Sequence, residues 1–322
     1  MSHHRWHGGA TQLLEAATGE IVWTGKFDRP LAELAELQEE LVTEIAASLD
    51  TQVYSLEMER ALKKPGDITA WEAVARGWSA YRKWDAASVQ TAIEEARRAV
   101  AIAPDYAPGH AALAAFLANA YLVSSDDAAE VQRIRAIAEH ALDLAPGDAT
   151  AIGQVGLALC FVGYPEEGER FTGRAVRKAP GSGLAHFSHG CACAMLNRPE
   201  EALSHQQTAE RLSPGWFVMW AVKAWQSRAL QALGRWEQAD TALDESIDLY
   251  PSFGFNFAAK AYLCLKLGRD AEARRHIETA RRMGWEAGLA ELHWRRWAPN
   301  SPTLEADLAT IRALYAATEP GA

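Results

Sequence analysis

The chain has 322 residues, 49% of them hydrophobic, which excludes general disorder and leaves room for two compact domains or one extended repeat array. Its 32 basic and 42 acidic side chains give a net charge of −10, and no basic stripe is segregated on one face, so direct contact with a nucleic acid is not expected. The longest apolar stretches, Ala111 to Val123 and Val155 to Val162, fall short of the roughly 18 to 20 residues that a bilayer crossing needs, and no membrane span is expected.

The stretch from Met1 to Gly9 is polar and His-rich and lacks the charged-then-apolar layout of an export signal, so a cytoplasmic location is expected. Thr11 to Asp28 reads as two short strands around a turn at Ala17-Thr18-Gly19, a hairpin that is marginally stable alone. Pro30 then supplies a helix start. Leu34, Leu37, Leu41, Ile45 and Leu49 put one apolar face on a helix from Leu31 to Leu49.

From Ile68 onward the chain is periodic. Pro104, Pro146, Pro180, Pro214 and Pro251 each follow an apolar run, at intervals of 42, 34, 34 and 37 residues. Two of these match a 34-residue helix-pair repeat, and the other two fit it with insertions, one of them around Ser124-Ser125-Asp126-Asp127. Small residues recur ahead of each proline, where two helices have to cross: Ala92, Ala96 and Ala99; Ala138 and Ala141; Gly168, Thr172 and Ala175. Ala202 and Ala209 continue the series with Gln206 between them, then Ala239 and Ser246 around Leu243, and Ala273 and Ala280 in a sixth unit, read as the last full repeat. Gly156 and Gly190 fill the small position of the first helix. Within pairs the turns carry Gly163, Asn197, Gly234 and Gly268, residues that accept the left-handed conformation closing a helix, and Pro165 and Pro199 start the helices that follow.

These landmarks resemble the tetratricopeptide repeat family over about Ile68 to Gly284. The resemblance implies an all-α, right-handed superhelix of about six helix pairs, with the first helix of each pair lining a concave face. Upstream, Leu14, Thr18-Gly19, Trp23, Asp28 and Gln38-Glu39 before Ile45 and Leu49 resemble the end of the TolB-like domain of bacterial signalling proteins. There it lies between an effector, either a class III nucleotide cyclase or a winged-helix domain, and a tetratricopeptide array. That order implies a partial TolB-like segment over 1–60 (hairpin plus helix), a solenoid over 61–300 and a capping helix and tail over 301–322, with Met1 falling inside a longer ancestral arrangement.

No constellation carries chemistry. His186, His189 and Cys193 share a helical face and are competent zinc ligands, but a fourth is missing, so they read as packing positions, and the His-rich end at His3, His4 and His7 reads as adventitious. Ser188, between His186 and Gly190, lacks the strand-to-helix turn of a nucleophile elbow. The four cysteines form no CxxC pair and sit in apolar segments as small hydrophobes. Of twelve tryptophans, four crowd between Trp216 and Trp236 and three between Trp285 and Trp297, where large rings fill gaps between helices or anchor a partner.

The function expected is therefore a non-enzymatic scaffold, without cofactor, that binds a protein or peptide in its concave groove. Mapping the family's groove positions onto this sequence gives Phe187, Cys191 and Met195, then Phe255, Tyr262 and Lys266, with Arg228 and Gln231 from the fifth repeat. Such a groove suits an extended peptide with apolar anchors and an acidic end.

Overall fold

The computed structural model describes the backbone of residues 6–14 and 21–30, and residues 68–123 and 127–318 with their side chains. The helix expected over Leu31 to Leu49 and most of the Ser124 to Asp127 insertion lie outside the described residues. β1 (Trp6–Leu14) and β2 (Ile21–Pro30) form an antiparallel pair running from Trp6 opposite Pro30 to Leu14 opposite Ile21, with an irregularity between Leu13 and Leu14.

Fourteen helices follow among the described residues. They pair in chain order: α1 (Ala70–Tyr81) with α2 (Ala86–Ile102), α3 (Ala107–Leu122) with α4 (Ala128–Leu144), α5 (Ala149–Phe161) with α6 (Pro165–Lys178), and α7 (Gly183–Met195) with α8 (Pro199–Leu212). Then come α9 (Met219–Ala232) with α10 (Trp236–Leu249), α11 (Gly254–Lys266) with α12 (Asp270–Arg282), and α13 (Ala287–Trp297) with α14 (Leu304–Ala316). The sequence suggested about six pairs and a capping helix. The seventh pair differs because the turn before it is closed by Gly284, at φ 82°, and Trp285 instead of a proline.

Local chemistry explains where each helix begins and ends. Thr69 and Glu72 form a reciprocal capping box, with Thr69 N–H donating to the Glu72 carboxylate at 2.6 Å and Glu72 N–H to the Thr69 hydroxyl at 3.2 Å. Asp85, Asp148 and Ser182 cap α2, α5 and α7 through their side chains, and Pro165 and Pro199 occupy first-turn positions where a missing N–H costs nothing. Inside the pairs, Gly163, Asn197, Gly234 and Gly268 turn the chain at φ 98°, 56°, 69° and 72°.

The spaced small residues are where the helices cross. Ala92, Ala96, Ala99, Ala138, Ala141, Thr172, Ala175, Ala202, Gln206, Ala209, Ala239, Ser246, Ala273 and Ala280 are all fully buried. A Cβ added at Gly156 would meet Gly168 O and Thr172 N at 2.9 Å, so α5 and α6 approach too closely for alanine. Gln206, a long side chain at a small position, is accommodated because Gly190 faces it. A Cβ there would sit 2.7 Å from Gln206 Nε2, which instead donates to Phe187 O at 3.1 Å.

The array closes on itself. The Trp84 ring, in the α1–α2 turn, meets Trp220 at 5.2 Å and Phe253 at 4.9 Å between centroids, and Tyr250 Oη donates to Lys83 O. At the end of α3, Leu122 O accepts from His293 Nδ1 at 3.2 Å, and Arg296 donates to Tyr121 O with its guanidinium 4.0 Å over the Tyr121 ring. The first two pairs thus touch the last three, and one contiguous apolar core runs from Ile68 to Tyr315.

Candidate functional site

Closure leaves a cavity of about 320 Å³ on the concave side. Six of the twelve tryptophans border it: Trp78, Trp84, Trp216, Trp220, Trp225 and Trp297. Concentrating half of the largest rings around one space makes its wall apolar, as ligand-binding cavities usually are. The charged lining residues are Arg82 and Arg296, and no carboxylate borders the cavity among the described residues. His293 also faces it. Burial pushes its pKa down to about 4, so its ring is neutral at pH 7 and adds no charge. Because Leu122 O is an acceptor, Nδ1 carries the proton and Nε2 is left as an acceptor.

Two local departures from the repeat shape this site. The connection between α8 and α9, residues 213–218, has six residues, where the other connections between pairs have four. The longer loop carries Trp216 and Phe217, both half-buried, to the cavity edge, and the exposed Arg82 lies 5.5 Å over the Phe217 ring. Second, the turn position that is Gly or Asn in four other pairs is Trp84 in the first. Trp84 sits at φ 49°, a conformation that costs a bulky L-residue about 1 to 2 kcal/mol. That strain aims the indole across the cavity at Trp220 and Phe253, so the residue that closes the array is held in an unfavourable backbone.

Of the residues expected in a groove, Phe187 and Phe255 border the cavity. Phe187 meets Trp216 edge-on at 5.5 Å. Phe255 is 1% exposed and enclosed by His293, Trp285, Trp294 and Trp297 at centroid distances of 4.2 to 5.8 Å. The others lie elsewhere. Cys191 and Met195 are buried in α7, where the Cys191 sulfur accepts from Gln206 Nε2 at 3.4 Å. Gln231 is buried and donates to Ser227 Oγ. Arg228 is buried 5.9 Å over the Trp297 ring, and burial lowers its pKa. Tyr262 Oη donates to Asp307 Oδ1 at 2.6 Å, with burial and that carboxylate raising its pKa, and Lys266 is exposed over the rings of Tyr262 and Trp236.

The physical reason is the seventh pair. Trp294 and Trp297 of α13 and Asp307 of α14 pack on Phe255, Tyr262 and Arg228, which an open array would leave facing the groove. The sequence reading missed Arg82, Trp84 and Arg296. Trp84 had a signal, a tryptophan two residues before α2, where α6, α8, α10 and α12 are preceded by Gly or Asn.

The other clusters are structural. His186 Nε2 donates to Pro180 O at 3.0 Å, which leaves its Nδ1 to accept from His205 Nδ1 at 2.9 Å, and His189 Nδ1 pairs with the Thr172 hydroxyl. Desolvation lowers the pKa of all three rings. Cys193 is buried, its thiol pushed up to about 12 by desolvation, and the described residues contain no group of three or more His, Cys, Asp or Glu arranged for a metal. Ser188 lies fully buried inside α7 at the cavity wall, its hydroxyl without a hydrogen-bond partner. No helix of the described residues is long and apolar enough to cross a membrane.

Paired helices, crossing residues and left-handed turns define a helical-repeat fold of the tetratricopeptide type. No family model and no curated protein matches the sequence. Among solved structures, IFIT1 in complex with m7Gppp-AAAA is similar, with a TM-score of 0.59 and 12% identity over 81% of this chain and 62% of that one. A chain of the APC/C hetero-tetramer Cut9-Hcn1 gives 0.54 and 14% over 82% of this chain and 46% of that one. TTC0263, a thermophilic tetratricopeptide protein of Thermus thermophilus, gives 0.47 and 15% over 61% of this chain and all of its own. The chain spans less than two thirds of the first two, and identities this low speak to fold alone.

Proposed function

We propose that this chain is a non-catalytic scaffold that binds a protein or peptide partner on its concave side, in a bacterial signalling or regulatory system. The observation that carries this reading is the pair Trp216 and Phe217, half-buried on a lengthened loop at the edge of an aromatic cavity. Large rings displayed beside a depression are where binding energy concentrates in protein interfaces. A partner segment docks there with an apolar side chain against the two rings, and does not thread a long groove, because Trp84 and Arg296 bridge the array. The loose TolB-like resemblance upstream supports an alternative in which the repeats regulate a nucleotide cyclase or a winged-helix regulator. An effector encoded beside this chain favours that alternative.

Cross-linking in cells followed by mass spectrometry tests the reading with the Trp216→Ala, Phe217→Ala double variant as control. The expected result is a cross-linked partner whose purified segment binds the parent at least about tenfold more tightly than the variant, as loss of aromatic anchors usually produces. Equal affinity for both forms overturns the assignment of this face.

A further inference from the structure

We propose that the concave cavity is a ligand site for a small apolar acid: one carboxylate on an aliphatic or aromatic body small enough for a cavity of about 320 Å³. The inference rests on the reading that the concave side is the recognition face, and it assigns the occupant of the space beneath the partner-binding rings.

Three features select this chemistry. The first is enclosure. The cavity is spanned on two sides by contacts between distant repeats, Trp84 with Trp220 and Phe253, and His293 and Arg296 with the end of α3. Its 320 Å³ lies at the small end of the range for molecular ligands. The second is the wall. Trp225, Trp297, Phe161 and Phe255 are buried and border the space, and an apolar cavity of this kind gains more from a hydrocarbon body than from water.

The third is charge. In a chain of net charge −10, the cavity's charged lining residues are both arginines, and no carboxylate lines it among the described residues. Arg82 is exposed and makes no ion pair among the described residues, and its guanidinium lies over the Phe217 ring. A carboxylate meeting Arg82 stays partly hydrated and avoids the penalty of burying an ion, while the apolar body lies inward among the tryptophans.

Such a ligand touches residues from the first, fifth and seventh pairs at once, so it ties together the parts of the array that sequence separates. Binding to the closed form alone raises the melting temperature.

Calorimetric titration with octanoate, and with 1-octanol as its uncharged counterpart, tests the proposal on the full chain, with tryptophan fluorescence as a second readout. Octanoate is expected to bind and to shift the indole emission. It is expected to exceed 1-octanol by at least about tenfold, the effect of a charge-assisted hydrogen bond. Arg82→Ala should erase that preference without changing the melting temperature, since the side chain is exposed. Ala221→Leu, which places a larger side chain at a half-exposed lining position, should block both ligands while the protein stays folded.

Equal binding of the two ligands, or an unchanged preference in Arg82→Ala, overturns the acid assignment. Absence of binding by either ligand to the folded protein overturns the site. If octanoate fails while the cross-linked partner still depends on Trp216 and Phe217, this inference falls alone. If octanoate binds and no partner depends on those rings, the scaffold reading falls and the ligand site stands.

Discussion

Trp84 lets backbone strain and ring closure be separated by two substitutions. Its indole meets Tyr81, Trp220 and Phe253 at centroid distances of 5.9, 5.2 and 4.9 Å. Truncating a large core aromatic costs about 3 to 5 kcal/mol, and the half-buried position of Trp84 puts the expected loss nearer 3. Its left-handed backbone opposes this. At φ 49°, glycine recovers about 1 to 2 kcal/mol of strain that alanine retains, less about 0.4 to 1 kcal/mol for its greater freedom when unfolded. Trp84→Gly should therefore be less stable than the parent by about 2 kcal/mol, and Trp84→Ala less stable again by up to about 1 kcal/mol. Urea unfolding followed by circular dichroism in the helix band reads both shifts as changes in midpoint. If Trp84→Gly matches the parent, the indole contributes no more to closure than the backbone strain it carries. If Trp84→Ala is the more stable of the two, the left-handed turn is wrong.

Four further outcomes follow from particular contacts. Phe255→Ala should cost about 3 to 5 kcal/mol in urea unfolding, because the ring is enclosed by Trp285 and by His293, Trp294 and Trp297 of α13, and a loss below about 1 kcal/mol would return it to an open face. Gly156→Ala should cost about 1 to 3 kcal/mol on the same assay by forcing α5 from α6. Tyr262→Phe strands one oxygen of the buried Asp307, which still accepts from Thr303 Oγ1 at 2.8 Å, and should cost about 1 to 3 kcal/mol by thermal melting. For His293, whose pKa is pushed down to about 4 from 6.5, the unfolded chain takes up the proton first. Its contribution is complete above pH 6.5 and is lost as the pH falls towards 4, roughly 3 kcal/mol in all. His293→Asn should flatten that part of the stability profile between pH 6.5 and 4, and an unchanged slope would show that the ring is not buried neutral.

The repeat was legible because its signals are local. A proline ends a helix wherever it falls, Gly163 and Asn197 take the left-handed turn by their own conformational preference, and Ala209 or Ala280 is small because the neighbouring helix is always the next one in sequence. The site was legible only in part because it is built from contacts of long range. That Phe255 borders a cavity follows from its place in the repeat, but that Trp294 and Trp297 enclose it depends on α13 folding back over α11. That Arg82 and Arg296 face one space depends on the array closing, as do the contacts between Lys83 and Tyr250 and between Leu122 and His293. No periodicity in the sequence encodes that angle. The clues were exceptions to the repeat: Trp84 where glycine is the rule, and two additional residues between α8 and α9.

Closure of the array is what makes an enclosed site, and it is most directly tested by dipolar coupling between nitroxides placed at Lys83→Cys and Leu249→Cys. Both positions are exposed, and the four native cysteines are buried and stay unlabelled. Tyr250, next in sequence to Leu249, hydrogen-bonds to the carbonyl of Lys83, so the account predicts strong, short-range broadening in the doubly labelled protein. Spectra equal to the sum of the two single labels would mean that the first and fifth pairs stand apart in an open superhelix, and would contradict it.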